Sequence, residues 1–147
     1  MKPLVEGVWV SQQIEPAQLD LLQQDHFSTL VDLRPDGEVA GQPSSTEMSD
    51  AAARAGLAFI YDPVPHGAIP DEAVSALQKA LASQRKPVLL YCRSGRRAAR
   101  TWALAEASRP GGLDAQAIKQ IVQAVGQPVD DLDRDIQARI TARPTSG

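Results

Sequence analysis

The sequence predicts an α/β protein: a single domain with a mostly parallel, open sheet flanked by helices. Three observations lead there. Short apolar, β-rich runs alternate with amphipathic helical patterns through most of the chain, the order expected of crossover units. The run Val88-Leu89-Leu90-Tyr91 is continuously apolar, as a strand covered on both faces must be. The 147 residues, 43% of them hydrophobic, suffice for one core and argue against disorder.

Residues 7–11 read as a first short strand. Residues 15–23 read as a helix with Pro16 at its first position, where the missing N–H removes no helical bond. Residues 26–33 are β-rich and read as a strand, stopped by Pro35 and Gly37. After a loop over 41–45, a helix opens at Ser45 and runs to about Ala55, closed by Gly56. Residues 57–61 form another strand. The segment 62–70 holds Pro63, Pro65, Gly67 and Pro70 and reads as a loop. Residues 71–83 are helical, with Val74, Leu77 and Leu81 on one face. The strand over 88–91 follows, then Cys92, a Ser/Gly turn and a helical pattern over 98–105 that Pro110-Gly111-Gly112 breaks. Ile118, Ile121, Val122 and Val125 mark one more helix, and Leu132, Ile136 and Ile140 the last. Residues 143–147 are expected to fray. Trp9 and Trp102 lie in apolar segments and are expected in the core.

Composition narrows the function classes. A formal charge of −3 gives no reason to expect nucleic acid or an anionic membrane as a partner. A lone cysteine cannot form an internal disulfide, which suits a reducing compartment. The N-terminus lacks the apolar segment of a signal peptide, and no stretch approaches the ~20 apolar residues that span a bilayer. A soluble, cytoplasmic protein is expected. Asp130, Asp131, Asp133 and Asp135 lack the glycine and terminal glutamate of an EF-hand and read as a solvated helix face, so no metal or cofactor is expected.

The chemistry concentrates in Cys92-Arg93-Ser94-Gly95-Arg96-Arg97. In open parallel sheets the ligand crevice lies beyond the carboxyl ends of the strands. Cys92 sits at such an end, before a helix whose first free N–H groups and positive dipole end favour an anion. The same field favours a thiolate. Arg34 and Asp36 follow a second strand, and Asp62 and His66 a third, so three loops are expected to converge on one pocket. The plain alternatives are a buried inert thiol for Cys92 and a solvated helix face for Arg93, Arg96 and Arg100. His26 carries no motif.

The cysteine loop with its leading strand resembles the anion loop of cysteine-dependent phosphatases. Arg34-Pro35-Asp36-Gly37-Glu38, Gln42-Pro43-Ser44-Ser45 and Asp62-Pro63-Val64-Pro65 extend the resemblance to one bacterial family, the phosphatase-like domain of beta-lactamase hydrolase-like proteins, over roughly residues 4–107. That resemblance implies a fold like that of dual-specificity and tyrosine phosphatases. It also implies roles: Cys92 as nucleophile, Arg97 as a bidentate oxyanion clamp, Ser94 as a hydroxyl that steadies the sulfur, and Gly95 as the point of close backbone approach. Arg93 and Arg96 are expected to help bind substrate, and Arg34 and Asp36 to line the pocket.

The chain departs from tyrosine phosphatases in two respects. Those enzymes place five residues between cysteine and arginine; here Arg97 leaves four, closer to the loop of rhodanese sulfurtransferases. The aspartate that protonates their leaving group is replaced, at about its position, by His66, flanked by Asp62 and Asp71. The upstream signature of rhodaneses is absent, and some members of the resembled family are described as sulfur transferases. Three functions are therefore expected, in this order. The first is a cysteine-dependent hydrolase of a phosphate ester, with Cys92, Arg97 and His66 as catalytic residues. The second is a sulfurtransferase carrying sulfane sulfur as a Cys92 persulfide. The third is a non-catalytic module that binds an anion or phosphopeptide. In each case the partner is a small or peptidic anion and the sulfur faces an open, positively polarised cup.

Overall fold

The computed structural model describes residues 1–144. Five strands form one sheet in the order β1-β2-β5-β3-β4: β1 Lys2–Val5, β2 Val8–Ser11, β3 Thr29–Asp32, β4 Ala58–Tyr61 and β5 Val88–Tyr91. Only β1 is antiparallel to its neighbour; the other pairings are parallel. The helices are α1 Leu19–Gln24, α2 Ser45–Ala55, α3 Asp71–Ser83, α4 Arg96–Ser108, α5 Ala115–Ala124 and α6 Asp133–Thr141. This is a single α/β domain with a mixed, mostly parallel open sheet. No helix among the described residues is long and apolar enough to cross a membrane.

Side-chain alternation along the central strand divides the core. Leu89 and Tyr91 of β5 pack with Leu30 under α1 and α2, against Leu19, Leu22 and Met48. Val88, Leu90 and Cys92 face the other way and pack with Val31, Leu33, Leu77, Trp102, Leu104, Ile118 and Ile136, under α3 to α6. Burial on both faces explains why β5 carries no polar residue. α4 lies at the centre of the second layer, in contact with α3, α5 and α6, and every residue from Arg97 to Ala107 is buried.

Register brings the strand ends level. Tyr91 is opposite both Ser11 and Asp32, and Asp32 is opposite Tyr61. The segments after β2, β3, β4 and β5 therefore leave the same edge of the sheet. The connection after β3 turns to the α2 face and that after β5 to the α4 face, which opens a crevice between them.

The helices over 45–55 and 71–83 match expectation. Ser44 caps α2 by accepting from the Glu47 N–H at 3.1 Å, while Glu47 reaches back to the Ser44 N–H. Three expectations need correction. β1 is an unexpected edge strand, joined to β2 by a tight turn in which Gly7 takes φ 81°. The strand expected over 26–33 is confined to Thr29–Asp32, because the chain leaves α1 through His26 at φ 69°. Trp9 is only half-buried and packs edge-on against Phe27, whereas Trp102 is fully buried. Arg143, the first residue of the expected tail, donates its guanidinium to the carbonyls of Glu106, Ala107, Gly112 and Leu113. Residues 145–147 of the expected tail lie outside the described residues.

Candidate active site

Cys92 follows β5 directly, and Gly95 caps α4 at φ 91°, a conformation that favours glycine. A Cβ on Gly95 would meet the Ser11 carbonyl oxygen at 3.5 Å, so β2 closes over the turn. The Gln13 N–H also donates to the Arg93 carbonyl at 3.2 Å. Within this turn Cys92 Sγ accepts from the Gly95 N–H at 3.2 Å and the Ala98 N–H at 3.4 Å. The sulfur thus sits among the N–H groups at the positive end of a 13-residue helix.

The expectation of a sulfur facing an open cup is not met. Cys92 is 0% exposed and belongs to the core cluster under α4. The physical reason is the short turn: Gly95 and Ala98 direct their N–H groups onto the sulfur itself. Ser94 is exposed, and its Oγ accepts from the Arg96 N–H at 3.4 Å. Arg93 and Arg96 are exposed beside it.

Arg97, from the first turn of α4, points inward. Its Nη1 donates to Glu38 Oε2 at 2.6 Å and to the Val64 carbonyl at 2.8 Å, and its Nη2 donates to Glu38 Oε1 at 2.8 Å. Arg34 approaches the same carboxylate from behind, with Nε 3.1 Å from Oε1, and donates from Nη1 to Gln13 Oε1 at 3.0 Å. These contacts, above all those from Arg97, hold the Glu38 carboxyl down at about 2. The bond to Glu38 in turn pushes Arg97 upward.

His66 is an exposed imidazole with Nε2 3.5 Å from Glu38 Oε2. The structure thus gathers Arg97, Arg34 and His66 around Glu38, while Cys92 stays enclosed behind the turn. Asp36 is drawn away. Its oxygens accept from the N–H and Oγ of Ser45, both at 2.7 Å, fastening the loop after β3 to the start of α2. Asp71 pairs with Arg139 of α6. Asp62 is buried with Oδ2 unpartnered, and burial pushes its carboxyl up to about 7. Burial likewise raises Asp32 to about 6, although the Arg34 N–H donates to it at 2.9 Å.

A cavity lined by His66, Ile69, Arg93, Ser94, Arg96, Arg97 and Arg100 opens on the outer side of the turn. Arg100 is already forked onto Asp131 at 2.8 and 2.7 Å, whereas Arg93 and Arg96 have no carboxylate partner among the described residues. A second cavity, lined by Ser11 to Ile14, Gly95 and Gln127, backs onto the turn but carries no arginine. Among the described residues no cluster of histidine, cysteine or carboxylates forms a metal site.

Sequence reading missed Glu38, Gln13 and the Val64 carbonyl. The signals for Glu38 were its place in the segment 34–38 that carries the resemblance and its i,i+4 spacing from Arg34, a weak cue outside a helix.

Comparison with known proteins agrees with this architecture. A protein of Neisseria meningitidis Z2491, provisionally described as a phosphatase, has a solved structure that superposes with a TM-score of 0.80. The two are 25% identical, and the match covers 94% of this chain and 96% of that one. The structure of Tk-PTP in its active form shares the fold at 19% identity, with a TM-score of 0.70 over 97% of each chain. A beta-lactamase hydrolase-like protein of Xylella fastidiosa strain Temecula1 is 36% identical over 100 residues, which is 68% of this chain and 22% of that protein. Its Agrobacterium fabrum counterpart is 32% identical over 102 residues, 69% of this chain and 24% of that protein. The chain thus spans about a quarter or less of the length of the curated relatives it matches. Residues 1–109 match the model of the family described as beta-lactamase hydrolase-like protein, phosphatase-like domain. A chain so matched over most of its length, folded like the protein tyrosine phosphatases, belongs to that phosphatase-like family.

Proposed function

We propose that this domain is a cysteine-dependent hydrolase of phosphate esters. The observation that carries the reading is the placement of Cys92 Sγ under the N–H groups of Gly95 and Ala98 at the start of α4, the helix whose first turn also carries Arg97. The Cys92 thiolate attacks phosphorus in line with the leaving oxygen. The S–P bond forms as the P–O bond breaks, and the leaving oxygen takes a proton from His66. Water then cleaves the thiophosphate and returns the thiolate. Backbone N–H groups of residues 93–97 and the guanidinium of Arg97 hold the equatorial oxygens. Since the sulfur is enclosed, the turn over residues 93–95 swings outward before attack. That motion frees the Gly95 N–H from sulfur for the incoming oxyanion. The exposed Arg93 and Arg96 draw the anion in.

Turnover of p-nitrophenyl phosphate by the wild type and by Cys92→Ser tests this. The expected result is a loss on the order of a thousandfold or more in the variant. Equal rates for the two proteins, or no turnover by either, overturn it.

A sulfurtransferase reading draws support from the short Cys92–Arg97 spacing and from an amide pocket that closes on a single sulfur. There the thiolate attacks the outer sulfur of thiosulfate, a Cys92 persulfide forms, and sulfite leaves. Mass spectrometry after thiosulfate exposure is then expected to show a gain of about 32 Da on Cys92; an unmodified thiol refutes it.

A further inference from the structure

A guanidinium carries five N–H bonds in a fixed plane. In Arg97 three are taken inside the protein: two from Nη1, to Glu38 and to the Val64 carbonyl, and one from Nη2 to Glu38. The carboxylate covers the end of the fork. Among the described residues the N–H of Nε and the second hydrogen of Nη2 remain without an acceptor, side by side along one edge. Two parallel donors suit two oxygens of one tetrahedral anion.

We propose that Glu38 is the positioning residue of Arg97: by gripping the far end of the guanidinium it presents the Nε–Nη2 edge, and that edge alone, to the anionic group of the substrate. The substrate in this statement comes from the hydrolase reading above; the grip on Arg97 does not depend on it. Glu38 is itself held. Its N–H donates to Gln42 Oε1 at 3.1 Å, and Arg34 contacts its carboxylate at 3.1 Å. Arg34 in turn reaches Gln13, whose N–H holds the Arg93 carbonyl of the turn. The chain of bonds leaves the cysteine loop at Arg93 and returns to it at Arg97. The side chains of Arg97 and Glu38 are only 10% and 12% exposed, so the pair is shielded as a surface ion pair is not. A lone guanidinium on a mobile side chain would reach the anion in many geometries; a gripped one reaches it in one.

The test compares wild type, Glu38→Gln and Glu38→Asp by guanidinium nitrogen–proton NMR, by binding of inorganic phosphate and by p-nitrophenyl phosphate kinetics. In the wild type the Nη protons of Arg97 are expected to be resolved and slow to rotate. Arg100, forked by Asp131, serves as the internal standard. In Glu38→Gln the Arg97 signals average while those of Arg100 persist. Phosphate binds about tenfold more weakly, and kcat falls about tenfold with a smaller change in KM. Glu38→Asp keeps the charge one methylene shorter and recovers part of each loss. Should Glu38→Gln fail to fold, the same readings on Glu38→Asp decide the matter. Averaged Arg97 signals in the wild type, or unchanged signals in the folded variant, overturn the inference. Tighter phosphate binding by Glu38→Gln also overturns it, because the carboxylate would then be an internal competitor. Wild-type protein that shows the expected spectra without turnover sinks the hydrolase reading and leaves the grip of Glu38 on Arg97 standing.

Discussion

Replacing Asp62 by asparagine is expected to change stability with opposite signs at high and low pH. Asp62 follows β4, is 6% exposed and leaves Oδ2 without a partner. Its carboxyl is raised by burial from 3.8 to about 7. A raised carboxyl favours the folded state in full below its unfolded value, and that benefit is lost as pH rises through the folded value. At about 1.4 kcal/mol per unit, the ionised side chain costs the folded state up to about 4 kcal/mol at pH 8. Asparagine removes that cost. It also places an amide N–H₂ where Oδ2 found no donor, which costs about 1–3 kcal/mol. The net expectation at pH 8 is a gain of about 1–3 kcal/mol. At pH 4 the ionisation cost is below about 1 kcal/mol, so the amide penalty dominates and Asp62→Asn destabilises by about 1–2 kcal/mol. Urea denaturation of both proteins at pH 4 and pH 8 measures the difference. A stability change that does not vary with pH refutes the account of a buried carboxyl that resists ionisation.

Three further outcomes are expected. Iodoacetamide should label Cys92 on the order of a hundredfold more slowly in the native protein than in urea, since the thiol reacts only after local opening; labelling at the free-thiol rate contradicts the enclosed sulfur. Gly95→Ala should cost roughly 1–2 kcal/mol in chemical denaturation, because φ 91° is unfavourable for a residue with a Cβ, and an unchanged midpoint would mean that the turn relaxes. Trp102→Ala removes the largest fully buried side chain and should cost about 3–5 kcal/mol, read from the same denaturation curves.

Local signals explain which parts of this architecture are legible in the sequence. β5 and α4 stand out because a continuous apolar run meets a glycine turn and then a helical pattern. α2 announces itself through Ser44 and Glu47 at capping-box spacing. β1 is hidden because Pro3 argues against a strand, and only the edge position, where one side of the backbone goes unpaired, admits it. The pair of Arg97 with Glu38 is half-visible. Arg97 is marked by its distance from Cys92, but its partner Glu38 lies 59 residues away and is brought near only by the β3–β5 pairing. The enclosure of the sulfur is invisible for a related reason. It depends on which way the N–H groups of Gly95 and Ala98 point where the turn enters α4, and any residue but proline supplies an N–H.

The burial of α4 from Arg97 to Ala107 has a mechanical consequence. A rod packed on all sides has no room to slide or pivot, so the machinery at its tip works against a fixed anvil. On the hydrolase reading proposed above, a reactant is admitted by the three residues ahead of it, and so small a flap can rattle open and shut far faster than any rearrangement of whole helices.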